Sequence, residues 1–536
     1  MAQRLLSRWF PRSSLFVALL IPVLATAAVP SPLPVAHGVL TAAATTDFKF
    51  VDIPVGDGVV LKANHIAPTT PGPHPAVVFI SSWGLNDLEY LAQAKALAER
   101  GYVVLSYTPR GFWASGGGID TAGPADIADT SRVLDWLVAN TPTNAARIGL
   151  AGVSYGAGIS LIASGFDSRV KAVAALSGWT DLVASLYGGD TRRPQAVALL
   201  DLAARFLGRP SPELRTRIDD YFANRDIEGL KQWGRLRSAS TYVDRINANA
   251  PAILIANAYG DSMFPPNQLV SFFSQLTGPK RLELAPGDHA VVEATGLVGL
   301  PNPVWTSVTR WLDQHVAGID TGIANEPPLV LRTYDGDVEG YSTWAAVSSS
   351  TQRLGLGAIR LLDGTGTLGG APSTSGARTL WGGVDTIADA GVPLLTNGLQ
   401  ALTGIPPIVW LPGVNRLRAG VWTSPPSSRE LALRGTATLR LRITPTTASG
   451  TVVAYLYDAV GDFGGLVTHV PLSWHGATPG TPLDLDLVFP ATAYDVPAWH
   501  QLALVVDTED PLYLGASTLN ATLTVGGPSW LDLPLR

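Results

Sequence analysis

The chain has 536 residues, 46% of them hydrophobic, with 43 acidic against 37 basic side chains and a formal net charge of −6. That length exceeds one ordinary core, so two or three packed domains are expected, and the apolar content excludes a disordered chain. The absence of cysteine excludes disulfides, thiol catalysis and cysteine–zinc sites. Mild acidity without a basic stripe argues against nucleic acid or an anionic membrane as partner.

At the N-terminus, Arg4, Arg8 and Arg12 precede the apolar run Leu15–Leu24 and the small-residue site Ala25-Thr26-Ala27. This reads as a secretory signal peptide over residues 1–27. The run is about half the twenty residues that a membrane span needs. Cleavage and export to the periplasm or medium are therefore expected, with no membrane contact afterwards. Cleavage removes three basic residues and no acidic one, which takes the net charge from −6 to −9. Residues 28–46 are rich in Pro and Ala and read as a flexible segment.

From Phe48 onward, strand patterns alternate with helical ones. Strands are predicted at Phe50–Val55, Val59–His65, Ala76–Ser81, Tyr102–Tyr107, Arg147–Val153, Val170–Leu176, Ala252–Asn257 and Arg281–Ala285. Several are near-continuous apolar runs, as parallel strands covered on both faces require. Helical spacing between them, at Leu88–Arg100, Ala125–Asn140 and Tyr155–Ser164, points to a mostly parallel, doubly wound α/β sheet over 47–318. The interval of about 180–249 breaks the rhythm with Ala196–Leu207 and Glu213–Ala223, and is expected to form a helical cap over the sheet. The helix Pro303–Val316 is expected to close this domain.

Beyond it, Leu329–Tyr334, Ala437–Ile443, Thr451–Asp458, Leu483–Phe489 and Gln501–Asp507 alternate apolar and polar residues between Gly/Pro/Ser/Thr turns. That pattern predicts an all-β jelly roll or sandwich over 325–536.

The chemistry centres on Gly152-Val153-Ser154-Tyr155-Gly156, where a predicted strand runs into a predicted helix. Such a strand–turn–helix is a nucleophile elbow, which lifts the serine hydroxyl off the sheet. The pentapeptide by itself is a weak signal in a chain with 55 glycines. Order strengthens it, since an α/β hydrolase presents serine, acid and histidine in that sequence. His289, in the loop after Arg281–Ala285, is the expected base, whereas His315 lies within the last helix and reads as a packing residue. Asp261, after Ala252–Asn257, is the expected acid, with a helix-capping role as its alternative. Asp288 adjoins His289 and would face away from its ring. The Tyr155 amide is expected to donate to the oxyanion, with a second donor from Ser82-Trp83-Gly84. Trp83 could serve through its backbone amide or its indole, or could be a packing aromatic.

These residues resemble the X-Pro dipeptidyl-peptidase and cocaine-esterase-like hydrolases of the peptidase S15 type. The likeness rests on Gly101-Tyr102-Val103-Val104, Arg110-Gly111, Ser115-Gly116, the pentapeptide, Gly260-Asp261 and Asp288-His289. In the second domain it adds Thr423-Ser424-Pro425, Gly435-Thr436 and Leu456-Tyr457-Asp458. The resemblance implies a hydrolase core, a helical cap and a jelly roll packed near the active site. Two positions depart from the family pattern. Trp83 stands where a tyrosine commonly completes the oxyanion hole, and Thr108-Pro109 stands where an aspartate usually precedes Arg-Gly, which marks Arg110 as structural.

The expected function is cleavage of a small-molecule ester or peptide through an acyl-enzyme, with no cofactor and no metal. A dipeptidyl-peptidase would need an ammonium anchor, for which the cap offers Asp190, Asp219, Asp220 and Asp226. An acyl esterase needs only an apolar pocket, to which Trp83, Tyr155, Trp179 and Phe264 could contribute, and this reading is favoured. The alternative is a polymer- or carbohydrate-binding protein on an inactive scaffold, with Trp422, Trp474 and Trp499 stacking on sugars, although core packing or domain docking is the favoured reading of these three. Asp335-Gly336-Asp337 and the pair Asp458 and Asp462 read as turn residues rather than metal ligands.

Overall fold

The computed structural model describes residues 44–360, 362–374 and 377–536. The expected signal peptide and residues 28–43 of the adjoining segment lie outside them. Ten strands build the first sheet: β1 (Thr46–Pro54), β2 (Val60–Pro68), β3 (His74–Ile80), β4 (Val103–Tyr107), β5 (Thr143–Val153), β6 (Val170–Leu176), β7 (Ala252–Ala258), β8 (Lys280–Ala285), β9 (Leu329–Arg332) and β10 (Val338–Tyr341). Their order is β1-β2-β4-β3-β5-β6-β7-β8-β9-β10. Strands β3 to β9 run parallel, and β1, β2 and β10 pair antiparallel at the two edges.

The apolar runs of β3, β6 and β7 are buried because helices cover both faces of the sheet. On one face, Leu97 of the helix Leu91–Glu99 and Val304, Trp305, Val308 and Trp311 of the helix Pro303–Leu312 pack on the strands. On the other, Val133 and Leu134 of Pro124–Asn140 and Ile159 of Tyr155–Ser164 do so. Five helices between β6 and β7, from Leu182–Leu186 to Val243–Asn249, form the cap.

One strand joins a different sheet from the one expected. Leu329–Tyr334 reads as part of the sandwich, yet Leu329–Arg332 is β9 and pairs in parallel with β8, Leu282 opposite Leu329. The hydrolase-like sheet thus continues to Tyr341. An alternating pattern shows that a strand has one buried face, but not which sheet supplies the cover.

The remaining strands form the second, all-β body. The strand Ser350–Ile359 passes between its two layers, pairing with Thr522–Leu535 in one and with Thr365–Leu368 in the other. Leu439, Leu441, Leu531 and Leu533 from one layer meet Val452, Leu456, Leu504 and Val506 from the other to make its core. Trp422 and Trp474 are buried there, so neither presents a sugar-stacking face; Trp499 is exposed. The two bodies meet beside the loop after β7. Asn397 donates to the Gly260 carbonyl at 2.8 Å, and the Leu394 amide donates to Ser262 Oγ at 3.2 Å.

Candidate active site

Strand β5 ends at Val153 and the next helix begins at Tyr155, so the whole turn is carried by Ser154 at φ 54°, ψ −110°. A non-glycine residue is strained there, and such strain is found where a side chain must be aimed. The flanking glycines make the turn possible. A Cβ on Gly152 would lie 2.6 Å from the Gly156 carbonyl carbon, and one on Gly156 would collide with the Ile80 carbonyl.

Asp261 and His289 follow β7 and β8 at the same end of the sheet. His289 Nε2 lies 2.9 Å from Ser154 Oγ, and Nδ1 lies 3.0 Å from Asp261 Oδ2. The other Asp261 oxygen accepts the amides of Met263 at 2.9 Å and Phe264 at 2.7 Å, which fixes the carboxylate plane. All three side chains are buried. Burial alone would push the imidazole pKa down, but the Asp261 charge and hydrogen bond outweigh it and hold the ring above its ordinary value. His315 packs against Trp311, away from this cluster.

Asp288 turns away from the imidazole ring. Its Oδ1 accepts the Ser262 amide and hydroxyl, each at 2.8 Å, and the His289 amide at 2.7 Å. Burial, and then the neighbouring Asp261 charge, raise its pKa.

On the opposite side of Ser154, the amides of Tyr155 and Trp83 donate to no group among the described residues. The Trp83 indole is engaged, since Nε1 donates to the Leu200 carbonyl at 2.9 Å. This removes one of the two expected routes to a second oxyanion donor and leaves the backbone amide. The ring packs edge-on against Phe112 and Tyr155, each 5.1 Å away between centroids. The preceding Ser82 is clamped, its amide and hydroxyl bonding Glu89 at 2.7 and 2.6 Å and its Oγ lying 3.0 Å from the Val153 carbonyl. Arg110 forms a two-pronged pair with Asp129, both contacts 2.7 Å, so its carboxylate partner comes from the helix Pro124–Asn140 rather than from the position before Arg-Gly.

Two family models match the chain in tandem, the X-Pro dipeptidyl-peptidase (S15 family) over residues 57–291 and the X-Pro dipeptidyl-peptidase C-terminal non-catalytic domain over residues 321–530. The chain belongs to the peptidase S15 type of serine hydrolases. A Streptomyces avermitilis protein named to the Xaa-Pro dipeptidyl-peptidases is 22% identical over 503 residues, 80% of this chain and 70% of that protein. An uncharacterized Pseudomonas aeruginosa protein is 32% identical over 121 residues, 22% of this chain, and the match spans only 33% of that protein. In structure, an alpha-amino acid ester hydrolase shares the fold with a TM-score of 0.69 at 15% identity, over 94% of this chain and 98% of that one.

In this S15-type hydrolase, Ser154 opens onto a cavity of about 100 Å³ beneath the cap, lined by Trp83, Trp179, Leu200, Leu214, Ile218 and Phe264 among others. Trp179 and Phe264, expected at the pocket, are 5.0 Å apart between ring centroids, and Phe264 stands edge-on to His289 at 5.0 Å. None of the cap carboxylates expected as ammonium anchors lines this cavity. Asp190 is paired with Lys231, Asp220 with Arg225 and Asp226 with Arg217, and Asp219 is exposed. Asp201, which does line it, is paired with Arg205.

Sequence reasoning missed Glu293. It is buried four residues after His289, and burial pushes its pKa up to about 7 while Ser177 bonds it. The Ser177 hydroxyl also accepts the Ala290 amide at 3.1 Å, so the histidine loop is moored to the end of β6. A lone glutamate in a loop carries no signal of this in sequence.

Proposed function

We propose that the protein is an exported serine esterase that cleaves esters of an apolar acyl group through a Ser154-bound acyl-enzyme. The observation that carries this reading is the continuous line Asp261–His289–Ser154, with contacts of 3.0 and 2.9 Å, opening onto a predominantly apolar cavity. Asp261 holds the Nδ1 proton, so Nε2 is free to accept the Ser154 proton as Oγ attacks the ester carbonyl. Negative charge on the carbonyl oxygen is met by the Tyr155 and Trp83 amides. The imidazolium then protonates the departing alcohol, the C–O ester bond breaks and the acyl group stays on Ser154. Water, deprotonated by His289, attacks the acyl-enzyme and releases the acid.

Esters are favoured over X-Pro peptides because the cap carboxylates that could receive a free ammonium are paired with cations or exposed away from the cavity. Export rests on the basic, apolar and small-residue pattern of residues 1–27. The test compares fluorophosphonate labelling of the native protein with Ser154→Ala, then rates on short acyl esters with those on X-Pro anilides. Labelling lost in the variant and faster ester turnover are expected. Label that persists in Ser154→Ala overturns the assignment, and faster anilide turnover overturns the ester preference.

A further inference from the structure

Arg193 stands at the start of the cap helix Pro194–Leu207 and is only 7% exposed. No carboxylate among the described residues lies within ion-pair distance of it. Its guanidinium has a long contact to the Ser262 carbonyl, 3.5 Å from Nη1, lies 5.2 Å from the Tyr513 ring centroid and hydrogen-bonds the Tyr513 hydroxyl. A buried cation without a counter-ion is costly, and a guanidinium carries five N–H donors to place.

Those donors border two adjoining hollows between the hydrolase and β bodies. The larger is a crevice of about 420 Å³, within the size range of small-molecule sites. The smaller, about 30 Å³, reaches Asp261 and Ser262. His469 borders both. Burial and the Arg193 charge hold its pKa down to about 3, so the ring is neutral. Its Nδ1 lies 2.8 Å from the Tyr513 hydroxyl. Phe272, Val470, Leu472 and Leu487 give the crevice an apolar wall, while Asp181 adds negative charge to its lining and Asp486 is paired with Arg440.

We propose that this crevice binds a monocarboxylate carrying an apolar substituent, with the carboxylate on the Arg193 guanidinium and the substituent against Phe272, Val470 and Leu487. A planar guanidinium matches a carboxylate in two-pronged fashion. Asp181 disfavours a doubly charged phosphate, and the apolar wall disfavours a small inorganic ion. The site is separate from the Ser154 cavity and does not rest on the hydrolytic reading.

Calorimetric titration of the full chain with sodium benzoate, at constant ionic strength, tests it. The native protein is expected to bind one equivalent. Arg193→Gln should weaken binding by at least about tenfold, the value of a charge-assisted hydrogen bond. Ala184→Trp, which fills the crevice and leaves Arg193 in place, should abolish it and decides the matter if Arg193→Gln does not fold. No binding by the native protein, unchanged affinity in either folded variant, or equally tight binding of inorganic phosphate overturns the proposal.

Discussion

Asp288 Oδ1 accepts the Ser262 amide at 2.8 Å, so one carboxylate ties the loop of Asp261 to the loop of His289. Asp288→Ala leaves three donors without their acceptor. We expect a loss of about 3 kcal/mol in stability and, because a displacement of about 1 Å costs two orders of magnitude, a fall in kcat of about 10²-fold. Asp288→Asn keeps an acceptor oxygen and should stay within about tenfold of the native kcat. Thermal melts and steady-state kinetics on the same samples check this. A native kcat in Asp288→Ala would mean that the two loops hold their geometry without the tie.

The pH profile follows from His289. As the proposed base it must be unprotonated, and Asp261 holds its pKa above the ordinary 6.5. The acid limb of kcat/KM should therefore have its midpoint above 6.5. In Asp261→Asn burial, which disfavours the charged ring, is opposed only by the weaker pull of Glu293 and Asp288, so the limb should move to lower pH while the maximal rate drops about 10⁴-fold. Rates measured across pH in both proteins decide it, and an acid limb that stays in place in the variant would count against His289 as the base.

Glu293 makes a prediction about stability rather than rate. Its pKa in the folded chain is about 7, against 4.5 for a free glutamate. The folded state therefore keeps a proton that the unfolded state releases, and stability contributed by this residue falls as pH climbs from 4.5 to about 7. Glu293→Gln should relieve an alkaline penalty of up to about 3 kcal/mol. Its melting temperature should exceed the native value above that window and match it more closely below. Equal pH dependence in the two proteins would refute the linkage.

Trp83 separates side chain from backbone. If its amide is the oxyanion donor, Trp83→Phe keeps the donor and loses only the bond to Leu200, so kcat should fall by less than about tenfold. Removing a true oxyanion donor costs about 10²–10³-fold. Single-turnover acylation of native and variant protein distinguishes the two magnitudes.

Much of the molecule was legible in the residues alone. β3, β6 and β7 read as strands because a strand buried on both faces must be apolar throughout. Ser154, Asp261 and His289 stood out as candidates because each follows a predicted strand, in the order an α/β hydrolase requires. The place of Leu329–Arg332 was not legible, because alternation records a buried face and not the identity of the sheet that buries it. Core packing was the favoured reading of Trp422, Trp474 and Trp499, and it holds for the first two but not for the exposed Trp499.

By itself, the sequence determined the fold class and the three loop positions at one end of the sheet, because strand, turn and helix preferences are set by neighbours a few residues apart. Only the tertiary structure decided where side chains point. The Trp83 indole turns to Leu200, 117 residues away, and the partner that Asp288 finds is Ser262, 26 residues away. Arg193 meets a crevice whose far wall, at His469 and Leu487, comes from the other body. Such contacts depend on how separately folded layers pack, and no local pattern of residues encodes that packing.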